Sequence, residues 1–234
     1  MKIMKTLVGA LAPALILFAT ASTAQSVFYG FQAEQAEIRF NNGEEVLAWD
    51  FDLTIGKDEL KFVWRSEAEY SLDEDEFETL ENQLRLATPI SPFFDAVAGI
   101  RFDTPEGNDR VDGVIGIHGL AQQWIEVDAD LFVSDDPSIR LEAEYEGLIT
   151  QRITFTPSIE VEIPLTDDAS RDFGDFAPIF EIGARLSYDL IDRAVSPYIG
   201  VHYEFATGES GRRAQAGGGK KDEFFFVAGA RMIF

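Results

Sequence analysis

Apolar and polar residues alternate along most of this chain, and this period-two pattern constrains the possible folds more than any other feature. The final segment shows it clearly, because every second residue there is apolar and lies on one face of an extended strand. These residues are Phe224, Phe226, Ala228, Ala230, Met232 and Phe234. A strand with an apolar face and an aromatic last residue is typical of the strand that closes an outer-membrane barrel.

Alternating segments of roughly 10 residues, each bounded by Gly, Pro, Asp or Asn, follow one another from about residue 28 onward. We count about twelve, near 29–40, 46–54, 59–70, 77–88, 92–103, 110–121, 124–134, 138–148, 152–163, 177–188, 195–206 and 223–234. Short connections alternate with longer ones, and the longest are near 164–176 and 207–222. The chain is therefore predicted to be all-β, an antiparallel transmembrane β-barrel with short turns on the periplasmic side.

Charged residues fall on one face of several segments, as in 124–133 and 139–147. The predicted inner face carries Glu126, Asp128, Glu142 and Glu144 together with a set of arginines. These arginines are Arg65, Arg85, Arg101, Arg140, Arg152, Arg185 and Arg231. A consistently charged face opposite an apolar one favours lipid outside and charge inside, and we expect about twelve strands to leave a lumen filled by side chains and water.

The first residues resemble an export signal. Residues 1–5 contain two lysines, residues 6–20 are mostly apolar, and small residues at 22–24 precede Gln25. Such a pattern is typical of a secretory signal peptide, since the apolar run is too short for a membrane helix. We predict a signal peptide at 1–24, a single barrel domain at 25–234, and the bacterial outer membrane as the location.

Composition excludes several kinds of function. The formal net charge of −23 would repel nucleic-acid phosphates, so no nucleic-acid partner is expected. The chain has no cysteine and two histidines, so disulfides and thiolate metal sites are excluded. No hydrolase elbow, His-Glu-x-x-His or nucleotide-binding glycine pattern is present. We therefore expect no enzymatic activity.

The hairpin around residues 134–138 places acidic side chains opposite one another. With the tip at this position, the expected pairs are Asp130 with Glu142, Asp128 with Glu144, and Glu126 with Glu146. Like charges directly opposed across two strands are destabilising. Three remedies are open: neighbouring arginines or lysines, protonated carboxylates, or bound cations.

A metal site is the cation alternative. The turn at 121–123 places His118 near Glu126, with Glu146 one strand beyond, and Asp128 and Glu144 are further candidate ligands. One imidazole with two carboxylates can hold a divalent transition metal. His202 is a weaker candidate, since its facing depends on an uncertain register. A hydrogen-bonded lumen histidine is the alternative interpretation for both.

Several runs resemble the copper resistance protein B family of bacterial outer membranes. They are PFFD at 92–95, GIR at 99–101, GLAQQWIEVDA at 119–129, LEAEY at 141–145, LITQR at 148–152, SPYIGV at 196–201 and FVAG at 226–229. The resemblance spans nearly the whole chain after the signal segment. It implies an outer-membrane barrel for copper homeostasis and resistance that binds or sequesters copper ions or aids their passage. It also implies copper ions, outer-membrane lipid and a periplasmic copper protein as candidate partners.

One departure from the family matters for copper. Family members often carry a Met- and His-rich segment ahead of the barrel, whereas here Met232 is the one methionine after the predicted signal. A copper ion in this chain is then expected to use histidines and lumen carboxylates, which suit copper(II) better than copper(I). The alternatives are an unselective small-solute pore, a structural outer-membrane barrel and, more weakly, a barrel enzyme acting on lipid.

Overall fold

The structure is a computed structural model, and it describes residues 26–41, 43–104, 109–191, 193–217 and 219–234. In these ranges the chain forms thirteen strands, one 3-10 turn (Gln122–Trp124) and one helix, α1 (Gly208–Gly217). The strands are β1 (Phe28–Asn41), β2 (Glu44–Lys57), β3 (Leu60–Ser71), β4 (Glu76–Pro89), β5 (Phe94–Thr104), β6 (Arg110–Leu120), β7 (Ile125–Val133), β8 (Ser138–Tyr145), β9 (Gly147–Leu148), β10 (Ile153–Pro164), β11 (Ile179–Tyr188), β12 (Val195–Ala206) and β13 (Asp222–Ile233). The predicted signal segment lies outside the described residues.

Antiparallel pairing joins each strand to its neighbours and closes the sheet into a barrel. At the seam β13 pairs with β1, and the backbones of Phe31 and Phe234 exchange two hydrogen bonds of 2.8 Å. The short β9 continues β8 beyond Glu146 against the same neighbour, β10, so the wall contains twelve strands. The predicted all-β antiparallel barrel of about twelve strands is confirmed.

The outside of the barrel is apolar and the inside is polar. Ile199 and Phe226 on the outer face are 67% and 64% exposed, whereas Arg101 and Gln83 inside are 0% exposed. In a water-soluble domain the distribution is the opposite, with charged residues almost never fully buried. The period-two alternation places these side chains, because successive residues of a strand point to opposite faces.

The two ends of the barrel differ in their connections. The terminal end, where β1 begins and β13 ends, carries the short turns at 58–59, 90–93, 121–124, 149–152 and 189–194. The opposite loop end carries the two longest connections, β10–β11 and β12–β13, and the second of these contains α1. This matches the predicted alternation of short turns and long loops. Among the residues that the structure describes, no helix is long and apolar enough to cross a membrane.

The β10–β11 connection lies across the loop end. Its Arg171 forms a 3.0 Å ion pair with Asp103 of β5, and its Asp168 pairs with Arg110 of β6 at 3.1 Å. Burial alone would raise the pKa of Asp168, but hydrogen bonds from Ser170 and the charge of Arg110 hold it below its ordinary value. β6 and β5 are three and four strands away from β10 around the wall, so the connection covers part of the mouth of the lumen.

One predicted inner residue is not on the wall. Arg152 lies in the exposed turn before β10, where its guanidinium is 3.4 Å from the Tyr188 hydroxyl. The prediction extended the strand alternation one residue too far, because the strand begins at Ile153, after a turn stabilised by Thr150.

Candidate metal-binding lumen

Seven acidic residues and one histidine face one another in a continuous row across eight neighbouring strands of the inner wall. We name this row the carboxylate ladder, and each member is directly opposite the next in the strand register. Its members are Asp95, His118, Asp128, Glu142, Glu160, Glu181, Glu204 and Glu223. Since strands of a barrel tilt against its axis, the row rises from Asp95 near the terminal end to Glu223 at the loop end.

The ladder needs positive charge, because opposed carboxylates repel one another. Arg65 of β3 crosses the lumen to Asp128 at 2.9 Å, and Arg39 of β1 reaches Glu204 at 3.1 Å. Lysines pair with the two ends of the row, Lys61 with Asp95 at 2.5 Å and Lys220 with Glu223 at 3.1 Å. In the middle of the row, Arg140 pairs with Glu160 at 3.0 Å. Neighbouring arginines and lysines, the first of the predicted remedies, are therefore present.

A second network fills the lumen toward the loop end. We name it the plug, and its members are Glu81, Arg101, Asp112, Arg140 and Glu162. Arg101 bonds Asp112 at 2.5 and 2.8 Å and Glu81 at 3.3 Å, while Arg140 bonds Glu81 at 3.1 Å and Glu162 at 3.2 Å. The Arg101 guanidinium also stacks on Phe132, 3.5 Å from the ring centroid. The plug fills this side of the lumen with buried, paired charges.

A cavity of about 390 Å³ extends along the ladder from the terminal end. Phe28 and Phe234 line its terminal side, and six ladder members and His202 line its interior. Eleven carboxylate side chains face the cavity, against five lysines or arginines. A low-dielectric cleft lined by an excess of one charge focuses the field and concentrates ions of the opposite sign. The cavity is therefore an attractor for cations.

His118, Glu126 and Asp128, which we name the His118 cluster, meet in a strand register that differs from the prediction. Asp128, not Glu126, lies directly opposite His118 and bonds its Nδ1, while Glu126 is 3.6 Å from Nε2. The second oxygen of Asp128 is held by Arg65, so this carboxylate is already neutralised. The structure thus brings His118, Glu126 and Asp128 together, with an arginine in the same place.

The predicted partners across the β7–β8 hairpin were wrong by two residues. The observed pairs are Glu126 with Glu144, Asp128 with Glu142, and Asp130 with Arg140. Ser138 pairs with Phe132, whereas the assumed tip at residues 134–138 would pair it with Ser134. A two-residue slip keeps every side chain on its face, so the inward facing was right although the partners were not.

Glu146 does not join the His118 cluster. It follows the end of β8, and its carboxylate is bound by Arg231. Glu144 lies opposite Glu126 and is 3.6 Å from the same arginine. Neither glutamate contacts His118 within the described ranges.

The second histidine lies in a tighter group. His202 Nε2 is 2.7 Å from Glu204 and 3.5 Å from Glu181, and one ligand atom from each of the three residues lies within 4.8 Å of the others. His202 is 3% exposed, and its Nδ1 has no hydrogen-bond partner among the described atoms. Arg39 shares Glu204 with the imidazole. We name Glu181, His202 and Glu204 the His202 cluster.

Sequence patterns reveal only part of this cluster. His202 and Glu204 are two apart on one strand and so share a face, a signal that could have indicated the pair. Glu181 joins them through the β11–β12 register, in which it lies directly opposite Glu204. Arg39 reaches the group across the seam strands, and no local pattern indicates it.

A solved structure supports the architecture. The chain superimposes on the NanC porin with a TM-score of 0.53 and 12% identity, covering 88% of this chain and 99% of that one. At this identity the likeness shows the barrel fold alone.

Comparisons of sequence carry more information. Residues 27–234 match the family model described as copper resistance protein B precursor. Copper resistance protein B of Escherichia coli is 34% identical over 203 residues, which are 86% of this chain and 68% of that protein. A homolog of copper resistance protein B from Pseudomonas syringae pv. tomato is 29% identical over 206 residues, covering 87% and 69%. This chain belongs to the copper resistance protein B family.

Proposed function

We propose that this protein is an outer-membrane barrel for copper tolerance whose lumen binds copper ions and thereby sequesters them or aids their passage. Family membership supports the copper resistance role, and the cation-attracting cavity supports binding inside the barrel. In this proposal copper is cargo, and the protein catalyses no reaction.

The outer surface supports a lipid environment. Strands such as β1 and β4, of 14 residues each, exceed the ~9–11 residues that a tilted strand needs to cross a bilayer. Their outward side chains are apolar, as on Leu84 and Leu86 of β4, which are 38% and 50% exposed. An apolar band of this kind on a closed barrel with a porin-like fold suits the bacterial outer membrane.

One observation carries the copper proposal: six members of the carboxylate ladder, His118 among them, line a cavity together with His202, the second histidine of the chain. Carboxylates attract divalent cations, and imidazole adds a preference for transition metals, of which copper(II) binds most tightly to a given nitrogen and oxygen donor set. The donors present fit copper(II), although the resident arginines would compete with it. A periplasmic copper protein is a candidate partner for copper that passes through the terminal end.

Growth of a deletion strain across rising copper, with zinc and silver as controls, tests the proposal. We expect copper sensitivity that the intact gene restores. The Glu142→Gln/Glu144→Gln variant removes two cavity carboxylates and should restore growth less well. The matched control, Glu59→Gln/Glu76→Gln, changes exposed residues near the strand ends and should restore it fully. Unchanged copper tolerance in the deletion strain would refute the proposal.

The plug makes a structural, non-conducting barrel the second candidate. Its buried arginine–carboxylate contacts leave no need for a copper ion in that part of the lumen. Conductance in planar lipid bilayers distinguishes both candidates, the copper-binding barrel and the structural barrel, from an unselective pore. We expect small currents from the wild-type protein, and a large steady current indifferent to copper would indicate the pore instead.

A further inference from the structure

The His202 cluster combines the three features that a metal site needs. The first is convergence, because one imidazole nitrogen and two carboxylate oxygens lie within 4.8 Å of one another. Their positions follow from strand geometry: His202 and Glu204 share a face of β12, and Glu181 lies opposite Glu204 on β11. One nitrogen and two oxygens are a donor set for a divalent transition metal.

The second feature is a buried imidazole whose proton position no described contact fixes. The His202 side chain is 4% exposed, and its Nε2 is the nitrogen that faces both glutamates. Nδ1, the other ring nitrogen, has no hydrogen-bond partner among the described residues. In the tautomer with the proton on Nδ1, Nε2 presents its lone pair to a metal ion. His202 also lines the acidic cavity, so an ion that enters from the terminal end can reach it.

The third feature is a replaceable counter-ion. Arg39 bonds Glu204 at 3.1 Å and also bonds Glu69 and Glu37, so its positive charge lies where a metal ion would bring its own. Arg185, a second positively charged neighbour of His202, is bound to Glu37 at 2.8 Å. Because Arg39 has Glu69 and Glu37 as other partners, it can release Glu204 and stay neutralised.

We propose that Glu181, His202 and Glu204 form a binding site for a divalent transition metal, with Arg39 as the counter-ion that gives up Glu204 when the metal binds. The identity of the ion as copper(II) rests on the proposed function, whereas the site itself follows from the geometry. Arg39 then sets the affinity, since its charge opposes the incoming cation.

Electron paramagnetic resonance of copper(II) reports the ligands directly. The full chain, purified in detergent without a histidine tag, is loaded with one equivalent of copper(II) sulfate. The chain has two histidines, so in the His118→Asn variant His202 is the one imidazole available. We expect imidazole nitrogen coupling in His118→Asn and none in His118→Asn/His202→Asn. Absence of nitrogen coupling in the His118→Asn protein would overturn the site.

Affinity measurements test the role of Arg39. We expect Arg39→Met to bind copper(II) at least tenfold more tightly than wild type in a competition titration. Arg193→Met is the matched control, since Arg193 lies in the β11–β12 turn and its side chain is 59% exposed. Equal or weaker binding by Arg39→Met would overturn the counter-ion assignment. If Arg39→Met does not fold, the resonance spectrum of the His118→Asn protein decides the proposal alone.

The two proposals can fail separately. A copper-sensitive deletion strain with no imidazole coupling would remove the His202 site and leave the copper-tolerance function. A clear imidazole signal with unchanged copper tolerance on deletion would keep the site and remove that function.

Discussion

Replacement of Arg101 by methionine tests whether the plug holds the barrel together. Arg101 and Asp112 have side chains with 0% exposure, and the guanidinium approaches the carboxylate at 2.5 Å. Arg101 also bonds Glu81 at 3.3 Å and lies on the Phe132 ring. Methionine fills similar space but cannot neutralise either acid.

The expected loss of unfolding free energy follows from these contacts. Removal of one partner from a buried ion pair costs about 3–5 kcal/mol, because the other charge stays buried without compensation. Arg110, 3.5 Å from Asp112, compensates part of the charge, so we expect about 3 kcal/mol. Removal of both charges in Arg101→Met/Asp112→Leu should cost less than the sum of the single changes, by about 2 kcal/mol or more.

Urea unfolding of the protein in detergent micelles, followed by tryptophan fluorescence, measures these differences. Arg212→Met is the control, since the Arg212 side chain is 70% exposed and pairs only with Glu209 of α1 among the described residues. Exposed pairs contribute about 0–1 kcal/mol, so the control should unfold almost like wild type. Equal stability of Arg101→Met and Arg212→Met, or additive effects in the double variant, would refute the argument.

Two further substitutions test the wall of the barrel. Ile199→Lys places a charge on the outer face, and if that face contacts lipid the free energy of unfolding should fall by about 2–4 kcal/mol. The same urea unfolding measures this loss, and a change below about 0.5 kcal/mol would indicate contact with water. Gly200→Ala should lower the yield of the folded, heat-modifiable band on gels, because an added Cβ would lie 2.3 Å from the Ala184 carbonyl oxygen. Gly30→Ala is its control, since the nearest atom to that Cβ is 4.0 Å away on Thr54, and equal yields of the two proteins would contradict the steric argument.

The alternation of residue types was enough to predict the barrel, its approximate strand number, its short and long ends, and the inward facing of residues such as Asp128 and Glu142. It was enough because a side chain's face depends only on its parity along the strand. The family resemblance added the copper resistance role. The prediction that the chain is exported and processed at residue 24 stays a prediction.

Tertiary structure alone decided which side chains meet. Register depends on the length and geometry of each turn, and barrel closure ties all registers together, so a local slip at the β7–β8 hairpin changed every predicted partner there. The same closure places Glu181 opposite Glu204. It also brings Arg39 of β1, on the other side of the seam, close to both glutamates. The sequence by itself determined that the lumen is acidic, whereas the closed barrel decided where its charges converge, because convergence requires strands far apart in the chain.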